Sequence, residues 1–523
     1  MNFFAQLWTQ KPLRAIIIIA LLLRIIAVIF SKGYAVHEDH FMVIETAQAW
    51  LDGTAYRDWL PGGEVNPQAV PKGKSITYVG MHYLLFQFLE FLGVMNAGSK
   101  MLIVRLIHAL FSLLVVNYAY RITHLVSEKD IARYVGLLVA TFWLLPFVSV
   151  HNFAEFFAVP FLMLATWFFL RPQYRDKPYK WAFLGGLVLG VAMSIWLFVF
   201  LFVIGFFGVL LYQKRWKVAF ITFIGFALSM GLLQGVVDYF FWDRPFAELY
   251  TFFQQIEIPF TKPRRTIFSM YAVMLLLVLI PPISIFWLVG WVKSAKRNLL
   301  LFVPAFLVFL FFSFSIQQHE RHIMVVFPFI LISSVVGWNR IIQKSVFWNN
   351  HPGMHRSMVI FFWIVNFTLL FSASTMYSKR SPVEAMLYLQ KHKNTINTVL
   401  IEDSNRTSVK SMPLFYMEKW VEMYKLPDYK EYGAPLSVRK RSNWEYIIST
   451  PRYFLDSVAH TPDFVLFVGQ KSLDERIQRL KPYLPSLQYK KTIKAGIIDR
   501  IFFKINPKHN ANQDIFIYRV AHP

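Results

Sequence analysis

The chain has 523 residues, of which 56% are hydrophobic and only 16% charged, with a mean hydropathy of +0.43. A water-soluble globule of that apolarity would aggregate, so the bilayer is the natural solvent for most of it. The net charge of +24 does not indicate a nucleic-acid surface, because in the first half the basic residues lie in short gaps between apolar runs, as in cytoplasmic loops. The absence of cysteine excludes a disulfide framework, a thiolate metal site and a Cys nucleophile.

Spans need about 20 apolar residues, and short loops rich in Lys and Arg stay in the cytoplasm. The first apolar run, Ala15 to Phe30, follows Lys11 and Arg14 and lacks a small-residue cleavage site, so it reads as a signal anchor with its N-terminus inside. It runs outward over 14–31 to a polar segment, 32–75, holding Pro61-Gly62-Gly63 and Pro67. Segment 78–94 is apolar but carries His82, Gln87 and Glu90, and is expected to lie as a helix in the outer interface. Runs at 101–124, 134–150, 156–170, 181–197, 198–212 and 218–237 then cross in alternation. Further crossings follow at 268–292, 299–316, 323–339 and 357–376. The basic turns around Arg133, Arg175, Lys214, Lys296 and Lys344 all fall inside. The expected fold is therefore a polytopic α-helical membrane protein of about eleven spans over residues 1–378.

After Lys379 the apolar runs shorten to strand length, as in 397–401 and 464–468, and alternate with helical patterns at 382–391 and 473–480. Residues 379–523 read as a soluble α/β domain, placed by parity on the extracytoplasmic side.

Ionisable groups next to bilayer depth are costly unless they are used or paired, and three clusters fall on the expected outer face. His37-Glu38-Asp39-His40 follows the first span. A carboxylate there can take a proton from an acceptor hydroxyl, with Asp39 and Glu38 the candidates. The competing reading is a solvated loop start, or Asp39 capping a helix that begins near Phe41. Four adjacent ionisable residues also admit a divalent metal, although contiguous side chains rarely converge on one ion, and none is expected. Asp238 with Tyr239 and Trp242 offers a carboxylate and aromatic faces, as a sugar groove does, or else an interfacial aromatic belt. Gln317-Gln318-His319-Glu320-Arg321-His322 supplies an Arg with His and amide donors able to clamp a lipid phosphate, or else an ordinary loop with neighbouring opposite charges. Arg24, inside the first span, needs a carboxylate or phosphate partner unless it snorkels. Asn152 and Glu155 lie at an outer turn, where loop solvation is the competing reading.

The stretch from Arg24 to Phe41, ending in His37-Glu38-Asp39-His40-Phe41, resembles the GT-C glycosyltransferases of family 22, which use dolichyl-phosphate mannose in N-glycan and GPI-anchor assembly. The family's His-Pro-Asp-Glu loop falls on His37 and Asp39, and its first-helix Arg on Arg24. Asn152 to Glu155 is similar to its Ser-Asn-x-x-Glu turn. Asp238 to Trp242 resembles its Asp-aromatic loop, and 252–257 the run after it. Gln317 to Pro328 resembles its His-Lys-Glu-x-Arg-Phe segment. Glu38 and His40 replace the family's Pro and Glu, and of the last motif Glu320-Arg321 are kept.

The resemblance implies a single inverting displacement, with Asp39 as base and the carrier phosphate as leaving group, its charge met by Arg321 and by His319 or His322. It implies a polyprenyl-phosphate sugar as donor, a glycan or glycolipid as acceptor and membrane lipids as surroundings, with no nucleic acid. No nucleotide-sugar fold is needed, in keeping with the lack of a Gly-rich phosphate loop. The alternatives are a transporter or flippase of lipid-linked saccharides, which would more often show inverted repeats, or a lipid-carrier-dependent transferase of another group.

Overall fold

The computed structural model describes residues 3–36, 39–54, 70–256, 269–315, 319–403, 409–427, 436–440, 444–456, 461–507 and 512–521. The chain divides into two compact units. The first comprises Met1–Phe30, Pro71–Tyr78 and Val104–Thr375, and the second Ser31–Val70, Val79–Ile103 and Met376–Pro523.

Among the described residues five helices are long and apolar enough to cross a bilayer: Pro12–Phe30, Ala97–Val126, Pro178–Ile195, Trp216–Trp242 and Pro352–Ser374. Shorter apolar helices run over Ala154–Leu170, Leu197–Tyr212 and Leu299–Phe314. Close packing in the first unit uses small residues, because lipid gives two helices no hydrophobic reason to associate. Gly186 and Gly190 in Pro178–Ile195 face Thr222, Phe226 and Ser229, and a Cβ on Gly186 would run into the Thr222 carbonyl.

Two runs expected as single spans are interrupted. The run 134–150 is a helix, Lys129–Thr141, and a separate turn, Leu144–Val148. The run 268–292 is a pair, Met270–Val278 and Ile283–Ser294, bent by 116°. Pro281 and Pro282 explain the second break, since each removes a backbone donor and disfavours helix in the residue before it. Each break exposes backbone groups that apolar surroundings cannot satisfy. Asn366 closes the first, its Nδ2 donating to the Thr141 carbonyl at 2.9 Å and its Oδ1 accepting from Trp143 N at 3.0 Å. The Trp143 indole donates to the Val278 carbonyl at 3.0 Å, at the end of the helix before the second break.

In the second unit a seven-stranded sheet has the order β3-β4-β2-β1-β5-β7-β6. The strands are β1 (Thr398–Asp403), β2 (Glu422–Pro427), β3 (Val438–Lys440), β4 (Glu445–Ile448), β5 (Phe464–Val468), β6 (Leu487–Ile493) and β7 (Ile515–Val520). Strands β4, β2, β1 and β5 are parallel, with Leu400 opposite Tyr424 and Val465. The edge pairings of β3, β7 and β6 are antiparallel. β1 and β5 are buried along their whole length, the apolar runs 399–401 and 464–468 lying in the middle of the sheet, with Glu402 and Asp403 buried at the end of β1. The helices Arg380–Gln390 and Leu473–Leu480 lie where the helical pattern places them.

Arg476, in the second of these helices, is fully buried. Its Nε donates to Glu402 Oε2 at 2.7 Å, and its Nη atoms donate to the carbonyls of Gly469 at 2.8 Å and Val468 at 3.0 Å. The pair ties the end of β1 to the end of β5. Replacing Arg476 by Met leaves a buried carboxylate without its cation and is expected to cost about 3–5 kcal/mol. Urea unfolding followed by circular dichroism should show it, and the double variant Arg476→Met/Glu402→Leu should regain most of the loss.

Candidate active site

Arg24 lies inside the first span and is fully buried. Its Nε donates to Ser112 Oγ at 2.7 Å, and its Nη1 donates to the carbonyls of Ala140 at 3.2 Å and Ala20 at 3.3 Å. The expected carboxylate or phosphate is replaced by a hydroxyl and backbone dipoles. Ala140 lies one residue before the frayed end at Thr141, where carbonyls have no helical partner, and that supplies the acceptor.

The turn after Val150 and the segment before Phe327 are distant in sequence and meet in the first unit. Glu155, in the first turn of Ala154–Leu170, is buried, and its Oε1 lies 3.4 Å from Nε of the half-buried Arg321. His319 and Glu320 are exposed, whereas His322 is buried. The His322 ring packs 4.4 Å from Phe312 and 5.7 Å from Phe198, centroid to centroid. Burial first, then the charges of Arg321 and His319, push its pKa down to about 3. His322 is thus uncharged near neutral pH and offers a ring nitrogen only; the cation of this cluster is Arg321. The Tyr271 hydroxyl donates to the His319 carbonyl at 2.8 Å and fixes the start of the turn. Gln317 and Gln318 lie outside the described residues.

Asn152 belongs to a second array. The Tyr78 hydroxyl donates to Asn152 Oδ1 at 2.6 Å and lies 2.8 Å from His108 Nε2, while His108 Nδ1 is 2.8 Å from the Val104 carbonyl. Tyr78 and His108 were not singled out by sequence pattern, since both sit in apolar runs. The signal that marks His108 is an ionisable ring at bilayer depth.

Asp238 faces inward at the end of Trp216–Trp242. Its Oδ1 accepts from Gln234 Nε2 at 2.7 Å, and its Oδ2 accepts from Glu248 N at 2.9 Å. Tyr239 is 56% exposed and Trp242 half-buried. Helical geometry separates the three: adjacent residues point some 100° apart, so Asp238 enters the packing while Tyr239 leaves it. Glu248, not singled out from the sequence, is buried and accepts from the backbone amides of Lys72 at 2.9 Å and Lys74 at 3.0 Å. It pins the strap that leads into Tyr78.

In the second unit Asp39 stands at the entry of the helical turn His40–Glu45, and its side chain does not cap that turn. The capping reading is therefore excluded, and the residue is half-buried. His40 is buried between Tyr34, 4.7 Å away, and Tyr416, 5.4 Å away, both stacked. Its Nε2 lies 3.8 Å from Glu45 Oε1. Burial pushes the Glu45 carboxyl well above the usual range, against the pull of the Phe415 and Leu414 amides. His37 and Glu38 lie outside the described residues. No group of three His, Asp or Glu side chains is gathered to hold a metal among the described residues.

Broken apolar helices, a half-buried Arg–Glu pair at a turn between two of them and a C-terminal sheet make this an integral membrane glycosyltransferase of the GT-C type. The chain belongs to the Alg9-like mannosyltransferase family, whose model matches residues 15–420. No curated protein matches it significantly. Among solved structures it resembles ArnT from Cupriavidus metallidurans bound to undecaprenyl phosphate, at 12% identity and a TM-score of 0.61, over 97% of both chains. It also resembles the Archaeoglobus fulgidus oligosaccharyltransferase in its apo form, at 13% identity and a TM-score of 0.50, over 76% of this chain and 63% of that one. Both likenesses concern the fold.

Burial, helped by Asp238 and opposed by the strap amides, pushes the Glu248 pKa up to about 7. An acid raised in the folded state takes up a proton that the unfolded chain would not hold, so Glu248 favours folding less as pH rises from about 4.5 to about 7. Locally the ionised carboxylate is the stronger acceptor. Amide exchange at Lys72 and Lys74, corrected for intrinsic rates, should therefore slow as pH rises through about 7. Glu248→Gln should remove that pH dependence. An unchanged profile in the variant would show that another group holds the strap.

Proposed function

We propose that the chain transfers a mannose-like sugar from a polyprenyl-phosphate carrier to a lipid-linked or surface glycan, with inversion, on the extracytoplasmic side of the membrane. The observation that carries this reading is the Glu155–Arg321 pair, a half-buried guanidinium held in place by a buried carboxylate in a chain of mannosyltransferase lineage. An Arg presents five N–H donors in a planar fork, the geometry that matches a phosphate, and a neighbouring carboxylate helps to orient it. The carrier is inferred from the undecaprenyl phosphate bound by ArnT, a protein of the same fold.

In the reaction an acceptor hydroxyl oxygen attacks the anomeric carbon as the bond from that carbon to the phosphate oxygen breaks. The leaving phosphate keeps the electron pair, and the hydroxyl proton passes to the Asp39 carboxylate. Arg321 meets the charge gathering on the phosphate, where a preorganised donor is worth most. His319 and the uncharged His322 supply hydrogen bonds beside it. Glu38 is the second candidate for the hydroxyl proton, and His37 and His40 are assigned to substrate binding. Asn152, Tyr239, Trp242 and Glu320 shape the sugar and lipid surroundings, with Asp238 anchoring Gln234 and Glu248 behind them and Arg24 bracing the first span. A covalent intermediate is not required.

Sidedness follows from the alternation of basic loops, which puts the end of the first span outside. The segment after that span and the sheet share one compact unit, which supports placing residues 379–523 on the same face as Asp39, beyond a catalytic part at 1–378. Asp39→Asn should lower the rate of transfer from radiolabelled polyprenyl-phosphate mannose to a glycolipid pool by about 10²- to 10⁴-fold at unchanged thermal stability. Arg321→Met should slow transfer comparably, and Arg321→Lys less. An Asp39→Asn protein with wild-type turnover would remove Asp39 from the mechanism.

A further inference from the structure

The second unit contains a cleft that none of these roles uses. Its volume is about 180 Å³, and its lining includes Gln48, Asp52, Glu90, Lys100, Phe415 and Trp420. Drug-sized and nucleotide ligands need about 300 Å³ or more. A cleft of this size suits a single sugar ring. We propose that it binds one neutral hexose unit of the acceptor glycan, so that it is an acceptor subsite of the transferase. The inference rests on the glycan-acceptor reading above.

The polar side of the cleft is built before any ligand arrives. The Lys100 ammonium is buried, and it donates to Glu90 Oε1 at 2.6 Å and to Gln48 Oε1 at 2.8 Å. The Gln48 amide nitrogen donates to the same Glu90 oxygen at 3.0 Å and to Asp52 Oδ1 at 3.0 Å. The Trp420 indole donates to Asp52 Oδ2 at 2.7 Å. These contacts orient two carboxylates, and with Lys393, Lys419 and Glu418 also in the lining the cleft carries three carboxylates against three ammonium groups, while carboxylate oxygens have lone pairs to spare for vicinal hydroxyls. A site whose charge is already offset in this way suits a neutral polyol better than an anion or a cation.

The apolar side is equally fixed. Phe415 stacks on Phe86 at 5.6 Å, and its backbone amide donates to Glu45 at 3.2 Å. The half-buried Trp420 stacks on Trp444 at 6.3 Å. Carboxylates beside rigid aromatic faces match a pyranose, which has hydroxyls around its edge and C–H groups on its faces. A purely structural network would need neither a cleft nor an aromatic wall. The sequence hints at it through Glu90 in an otherwise apolar run.

The test is made on the full chain in detergent with two variants, Trp420→Ala and Trp420→Phe, the second keeping the aromatic face and removing only the donor. Acceptor-dependent transfer is expected to show a rise in acceptor KM of about 10- to 100-fold for Trp420→Ala, with donor KM and kcat unchanged. Trp420→Phe should recover most of that loss. Saturation-transfer NMR with methyl α-mannoside and methyl α-glucoside should give ring-proton signals with the wild type and lose them with Trp420→Ala. An acceptor KM and NMR signals unchanged in both variants would overturn the subsite. So would a fall in kcat at constant KM, which marks a structural role. If the wild type transfers no sugar from any polyprenyl-phosphate donor, the donor reading fails while the methyl glycoside experiment still decides the cleft.

Discussion

Buried backbone must be hydrogen-bonded, and in an apolar helix bundle only side chains can close a gap in the helical ladder. Asn366 and Trp143 do this at the two interrupted runs of the first unit. One amide serves both sides of the first gap, taking Trp143 N and giving to Thr141 O, and the Trp143 indole then reaches the end of the helix before the second. Breaks closed in this way let non-helical backbone persist among apolar helices. The turn carrying His151, Asn152 and Glu155 follows directly from the first interruption.

The same constraint governs the charges. Several buried ionisable groups are met by partners drawn from other elements, and the setting of each decides its charge state. Arg24 is satisfied by Ser112 and carbonyls, and serves packing. Arg321 is paired with a carboxylate and stays partly exposed. His322, the residue next to Arg321 in the chain, sits among aromatic rings and loses its charge. Three residues that a sequence would group as basic are thereby divided into a brace, a partly exposed ion-paired cation and an uncharged ring.

Much of this was legible in the sequence. Hydropathy located the helices, and the shift to short apolar runs after Lys379 located β1, β5 and two helices to within a few residues. The meeting of Glu155 with Arg321 was not derivable from spacing, although each was singled out alone. The breaks were harder to see. Trp143 and Asn366 are unremarkable in composition, and only the fold shows that they answer each other. Asp238 shows why type alone misleads: a carboxylate beside aromatics reads as a sugar groove, yet the helix turns Asp238 toward Gln234 and Glu248 and leaves Tyr239 on the outside. Glu248 and Tyr78 escaped notice because their importance comes from the backbone they hold, which sequence pattern does not display.

In the proposed reaction the two units divide the chemical labour as well as the chain. The first contains the cation that suits a phosphate, and its polar groups are fixed by long-range bonds between helices. The second contains Asp39 and the cleft at Trp420, and there charged side chains are arranged around aromatic faces. A lipid-borne donor brings its own membrane anchor and needs little more than a site for its phosphate. A glycan acceptor has no comparable anchor for its sugar rings, so its recognition must be built from directed hydroxyl and ring-face contacts. Such contacts need rigid carboxylates and aromatic walls, and the second unit supplies both by packing residues 40–52 and 79–103 with the sheet domain.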